Sequence, residues 1–142
     1  MNGSASNELE LEAGLSLAVT EAGAWIAKTD DKTFSLDGVS DFYRAWLLLE
    51  RPFSEVKEAV DQIALRTNAV EPFPFAKLIE SALMSRSRQW TERALPWISH
   101  LPTPEKTSLR ELLLDVREAN WVSQKGRQLA QRYLNEINRR RG

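Results

Sequence analysis

At 142 residues, with 42% apolar and 27% charged side chains, the chain has the composition of a globular protein large enough to bury a core unaided. It holds no cysteine and one histidine, His100, which excludes disulfides, thiolate zinc sites, thiol nucleophiles and multi-histidine metal centres. The formal net charge of −1 hides a split, since residues 1–72 carry 13 acidic and 6 basic side chains, a net of −7, and residues 73–142 carry 7 acidic and 13 basic ones, a net of +6. Two accounts fit that split. Either the halves attract one another or lie on solvated faces, or a bipolar surface selects a charged partner.

Apolar residues recur at intervals of three and four, without a sustained period of two. An all-α fold is therefore expected, a single compact domain of about six helices arranged as an antiparallel bundle or stacked helical hairpins. Residues 1–6 are expected to be disordered and residues 7–142 to form the one all-helical domain. The first helix starts after Ser6 or Asn7, either of which can cap it. Its stripe is Leu11, Leu15, Ala18, Ala22 and Trp25, and Lys28-Thr-Asp-Asp-Lys32 ends it.

Asp37-Gly38 marks a turn, followed by a short helix on Phe42, Ala45, Trp46 and Leu49. Pro52 breaks that helix, and Ser54 caps the next, whose face is Val56, Val60, Ile63 and Ala64. Glu71-Pro72-Phe73-Pro74 reads as a stiff extended connector. A long helix is expected from about Phe75 to Pro96, which must kink or end it. Thr103-Pro104-Glu105 is a start signal for a helix that reaches Ala119 on Leu109, Leu112, Leu113 and Val116. The last helix begins near Asn120.

Leu95-Pro-Trp-Ile-Ser-His-Leu101, Pro104 and Leu109-Arg110 resemble a single HEAT-type hairpin over residues 93–119. There a proline sits inside the first helix and an arginine opens the second. The resemblance implies a helical hairpin with a bias toward protein binding. No second copy follows at a period of roughly 40 residues, as a solenoid requires.

Two groups of residues stand out as candidate sites. If the long helix is continuous, Arg86, Trp90, Arg93 and Trp97 fall at i, i+4, i+7 and i+11 on one face with Phe75, Ile79, Ala82 and Leu83. Guanidinium groups on an apolar stripe are costly unless paired or stacked. The ladder is thus either glue to the acidic half or an exposed partner-binding patch of the residue types found at hot spots. Leu114, over 90° from its helix's core stripe at 100° per residue, is a further partner-binding candidate.

In the last helix, Val122, Gly126, Leu129, Ala130, Tyr133, Leu134 and Ile137 share one arc that must be buried, and Gly126 implies a close neighbour. Lys125, Arg132 and Arg139 form a row beside that arc, about 21 Å long at 1.5 Å per residue, able to follow phosphates. Glu136 is placed to pair with Arg132 and Arg139. The row then reads as the wet flank of a packed helix.

Chemistry points away from catalysis. The sequence carries no Glu-x-x-His pair, nucleophile elbow, P-loop or dinucleotide fingerprint. The Asp30–Asp41 stretch has calcium-loop length, but Lys32 and Phe34 stand at ligand positions. No cofactor and no metal are expected. The expected function is non-catalytic protein binding by a small cytoplasmic adaptor, inhibitor or immunity-type protein using charge-complementary surfaces. The alternative is a nucleic-acid-binding or nucleoprotein-associated domain using the basic half, and a homo-oligomer is a third possibility. No apolar run approaches the roughly 18 to 20 residues that span a bilayer, and the first residues lack the basic start and apolar stretch of a signal peptide, so no membrane partner is expected.

Overall fold

The computed structural model of the chain describes residues 7–141, with side chains to Arg139; the disorder expected of residues 1–6 lies outside the described residues. The helix expected over residues 7–28 is replaced by strands. β1 (Leu9–Glu12), β2 (Leu15–Val19), β3 (Trp25–Lys28) and β4 (Thr33–Ser35) form an antiparallel meander in chain order. The all-α expectation, and with it the bundle or stacked-hairpin architecture, is corrected: the chain is mixed, helix-rich with a four-stranded sheet.

Turn chemistry explains the difference. Gly14 and Gly23 hold φ of +85° and +90°, which glycine adopts freely and L side chains resist. They sit in the β1–β2 and β2–β3 connections. A helix on the Leu11–Trp25 stripe would leave Leu17 off its apolar face, whereas in the sheet Leu17 is fully buried. Leu17 pairs with Leu9 on one side and Ala27 on the other, and Ala27 pairs with Phe34, so one row crosses all four strands. Trp25, Ile26 and Ala27 are all buried, as suits an inner strand covered on both faces. On the outer edge, the Arg51 guanidinium donates to the Glu10 carbonyl of β1 at 2.6 Å.

A 3-10 helix, Val39–Glu50, buries Phe42, Ala45, Leu48 and Leu49. The Asp41 carboxylate accepts from the Gly38 and Asp37 N–H groups at 3.0 and 3.2 Å, fixing the turn before it. α1 (Phe53–Arg66) buries Val56, Val60 and Ile63; Pro52, not Ser54, occupies its cap position, and no side chain caps it. The Glu71–Pro74 connector is itself packed. Phe73 is buried and meets the Trp25 ring edge-on at 5.3 Å and Phe42 at 6.1 Å, and Trp25 Nε1 donates to the Glu71 carbonyl at 2.9 Å.

The described residues up to Pro74 close on themselves as one compact unit and those from Phe75 onward as another. Phe73 and Pro74 are uncharged, so the N-terminal unit carries the net −7 and the C-terminal unit the net +6.

The C-terminal unit is helical. α2 (Phe75–Met84) and α3 (Arg88–Ala94) replace the long helix expected up to Pro96, followed by a 3-10 turn, Leu95–His100. The break is Ser85-Arg86-Ser87. Ser85 Oγ donates to the Ala82 carbonyl at 2.6 Å and accepts from Ser87 N–H at 3.0 Å, while Ser87 Oγ accepts from Trp90 N–H at 3.3 Å and caps α3. These hydroxyls satisfy the groups that a continuous helix would have paired. Thr103-Pro104 opens α4 (Thr103–Ser108), but Leu109, at φ −90° and ψ 1°, parts it from α5 (Arg110–Glu118).

α6 (Gln124–Arg141) buries Gly126, Ala130, Tyr133, Leu134 and Ile137 along its inner face, with Val122 buried just before the helix; Leu129, expected on the same buried arc, is only half-buried. A Cβ on Gly126 would meet Val122 Cγ1 at 2.7 Å and Leu95 Cδ1 at 3.5 Å, so the neighbour that glycine admits includes the 3-10 turn. Tyr133 fixes the same contact, its hydroxyl donating to the Leu95 carbonyl at 2.8 Å. Among the described residues, no helix is long and apolar enough to cross a membrane.

Candidate functional site

Because α2 stops at Met84, the Arg86–Trp97 ladder does not form. Trp97 is a core residue, edge-on to Phe75 at 6.0 Å. Trp90 is half-buried, with the Arg93 guanidinium 5.6 Å from its ring centroid. Leu114 is half-buried on α5. Arg86 stands apart from the others, exposed in the α2–α3 turn with a left-handed backbone, φ +59°. Among the described residues it is the one non-glycine with positive φ. Such a conformation costs an L-residue about 1–2 kcal/mol, and strain of this kind concentrates at binding and switch sites.

Arg86 lies on the rim of a groove of about 550 Å³ between the end of α2, α5 and the segment that follows α5. Its guanidinium carbon lies 5.7 Å from the centroid of Trp121, which also lines the groove. Leu83, Leu112 and Val116 supply apolar wall, and Met84, 55% exposed, offers a flexible thioether. Asp115 and Glu118 bring carboxylates into the same groove. Glu118 is bonded to Arg117 at 2.8 Å, whereas Asp115 makes no ion pair among the described residues. Of the partner-binding residues expected from sequence, only Arg86 lines this groove; Trp121, Met84 and Asp115 were missed. A serine on each side of Arg86 was the available signal for the turn that exposes them.

The groove wall is braced by the start of α6. Glu92 on α3 accepts from Ser123 N–H at 2.9 Å and from Arg88 Nε at 3.1 Å. Burial raises the Glu92 pKa, but the bonds from Ser123 and the Arg88 charge outweigh it and leave the carboxyl below its ordinary value. Arg127 reaches back to donate to the Ala119 and Val122 carbonyls at 3.3 and 2.6 Å. The segment carrying Trp121 is thereby fixed from both ends.

Lys125, Arg132 and Arg139 are all exposed on α6, as the helical spacing requires. The pairing expected of Glu136 is different. It binds Lys106 Nζ at 2.7 Å, and Arg132 and Arg139 make no ion pair among the described residues.

The N-terminal unit holds a second cluster that sequence reasoning passed over. The Arg44 guanidinium lies 4.2 Å from the Phe34 ring centroid and 4.5 Å from that of Tyr43, which meets Trp46 edge-on at 6.3 Å. Phe34 is brought there by β4 and the rest by the 3-10 helix, so only the sheet reveals the grouping. His100 is exposed at the end of the 3-10 turn. Among the described residues, no three His, Cys, Asp or Glu side chains gather as a metal site. Comparison with protein-family models, curated proteins and solved structures finds no match, so the groove and the basic helix stand on their own geometry.

Proposed function

We propose that this chain is a non-catalytic protein-binding module, an adaptor or inhibitor in kind, whose C-terminal unit takes a segment of its partner in the Arg86–Trp121 groove. One observation carries the reading: a solvent-exposed arginine held at φ +59° with its guanidinium over Trp121, beside an exposed methionine. Arg and Trp are the residue types that dominate binding energy when a partner desolvates them. The occupant that fits is a peptide with an apolar anchor and a basic residue. The anchor contacts Met84, Leu112 and Trp121, and the base meets Asp115, which makes no ion pair among the described residues.

Short synthetic peptides with a leucine or phenylalanine anchor flanked by lysine, and the same peptides with glutamate in place of lysine, test this by tryptophan fluorescence titration. Preference for the lysine set, lost in Trp121→Ala and reversed in Asp115→Lys, supports the reading. Equal affinity for both sets, or binding unchanged in the two variants, refutes it.

A further inference from the structure

Thirteen cations and seven acids give the C-terminal unit its net +6, and the ion pairs are unevenly placed. Four of the seven acids are bound by cations outside α6: Glu92 by Arg88, Glu111 by Arg110, Glu118 by Arg117, and Glu136 by Lys106. The last pair matters most. Glu136 is the one acid in the sequence of α6, and Lys106 reaches across from α4 to hold it at 2.7 Å with the two side chains 13% and 34% exposed. Among the described side chains of α6, the exposed ones are then Gln124, Lys125, Gln128, Arg132, Asn135, Asn138 and Arg139, amides and cations without an acid or a large apolar side chain. Lys125, Arg132 and Arg139 form a straight row on that face, about 10 Å between neighbours at 1.5 Å per residue. None is in an ion pair among the described residues.

We propose that the outer face of α6 binds the phosphate backbone of nucleic acid. This is a second surface, independent of the groove. The cations neutralise successive phosphates and release their counterions, and the amide side chains beside them donate to phosphate and sugar oxygens. An anionic membrane would meet the same charges, but an interfacial helix also presents large apolar side chains to the lipid. In α6 those side chains, Tyr133, Leu134 and Ile137, are buried in the unit.

The test is fluorescence anisotropy of a labelled short duplex and a labelled single strand, titrated with the full chain across a salt series. Saturable binding is expected, with log affinity falling linearly in log salt. In the Lys125→Ala/Arg132→Ala/Arg139→Ala variant the duplex slope should flatten by about 2.7, at ~0.9 per lost phosphate contact. All three side chains are exposed, and circular dichroism checks that the variant remains folded. Arg132→Lys with Arg139→Lys, which keeps the charges, should retain the wild-type slope. Three results would each overturn the proposal: no saturable binding at low salt, a triple variant that binds like wild type, or tighter binding to phosphatidylserine vesicles than to either oligonucleotide.

Discussion

Replacing Arg86 by glycine and, separately, by alanine separates the strain in its backbone from the contact made by its side chain. Both changes remove the guanidinium from Trp121, 5.7 Å away, a loss of about 0.5–1 kcal/mol for an exposed cation–π contact. They differ in backbone. At φ +59° alanine keeps the left-handed cost of about 1–2 kcal/mol, whereas glycine relieves it but spends about 0.5–1 kcal/mol of extra chain entropy on folding. Arg86→Gly should therefore be ~0.5–1 kcal/mol more stable than Arg86→Ala, and close to wild type. That order reverses the usual ranking of glycine below alanine. Urea titration followed by tryptophan fluorescence measures it, with thermal midpoints ~2–8 °C apart for a unit of this size. Both variants should lose peptide binding at the groove, so stability and binding part company in Arg86→Gly. An Arg86→Ala protein as stable as Arg86→Gly would show that the turn carries no left-handed strain and refute the reasoning.

In the N-terminal unit, a Cβ on Gly23 would lie 2.5 Å from the Asn68 carbonyl oxygen and 2.6 Å from Val70 Cγ2, at φ +90°. Gly23→Ala should cost ~2–3 kcal/mol and speed hydrogen exchange at the Val70 amide, which donates to the Gly23 carbonyl at 3.0 Å; protection equal to wild type counts against this close approach. Glu92 has a lowered pKa in the folded state, so the stability it contributes is full above its ordinary value of 4.5 and is lost as pH falls through the lower folded value. Glu92→Gln should be about 1 kcal/mol less stable than wild type at neutral pH, with the gap closing in acid; a gap constant from neutral to acid pH excludes this role. Tyr133 has the opposite sense. Burial raises its pKa, so its contribution is present below the ordinary phenol value and is lost as pH rises through the folded one. Tyr133→Phe should remove about 1 kcal/mol by leaving the Leu95 carbonyl unpaired, measured by urea titration.

What was legible in the sequence follows from how each signal is stored. The buried arcs of α1 and α6 were legible because a long helix repeats its pattern over many residues: Val56, Val60 and Ile63, and then Val122 to Ile137. The sheet was not, because its strands are three to five residues long and Leu11, Leu15, Ala18 and Trp25 also satisfy a helical stripe. In Leu9-Glu-Leu-Glu12 local propensity favours helix, and pairing with β2 overrides it. The groove was hidden for a related reason. Helical periodicity carried straight through Ser85-Arg86-Ser87, yet serine hydroxyls bonding to their own turn ended α2 there. With the helix ended, Arg86 turned toward Trp121 and Trp97 entered the core.

Charge shows the limit of bulk properties most clearly. A sequence pI of 5.9 weighs against a nucleic-acid partner when the chain is treated as one body. Binding to phosphate, however, is decided within about a Debye length, roughly 10 Å at 0.1 M salt, so the charges that count are those on the contacting face. The acids that lower the pI lie mostly in residues 1–72, and four of the seven in the C-terminal unit are already bound by arginines and a lysine of α3, α4 and α5. The Lys106–Glu136 pair is decisive within that set. Without it, Glu136 would stand three residues from Arg139 and four from Arg132 and draw both into intrahelical pairs. Breaking it with Lys106→Ala should free Glu136 to do so and weaken oligonucleotide binding, although Lys106 lies on α4 and off the row. Anisotropy of the same labelled duplex checks this: affinity equal to wild type would show that Glu136 has no hold on the row.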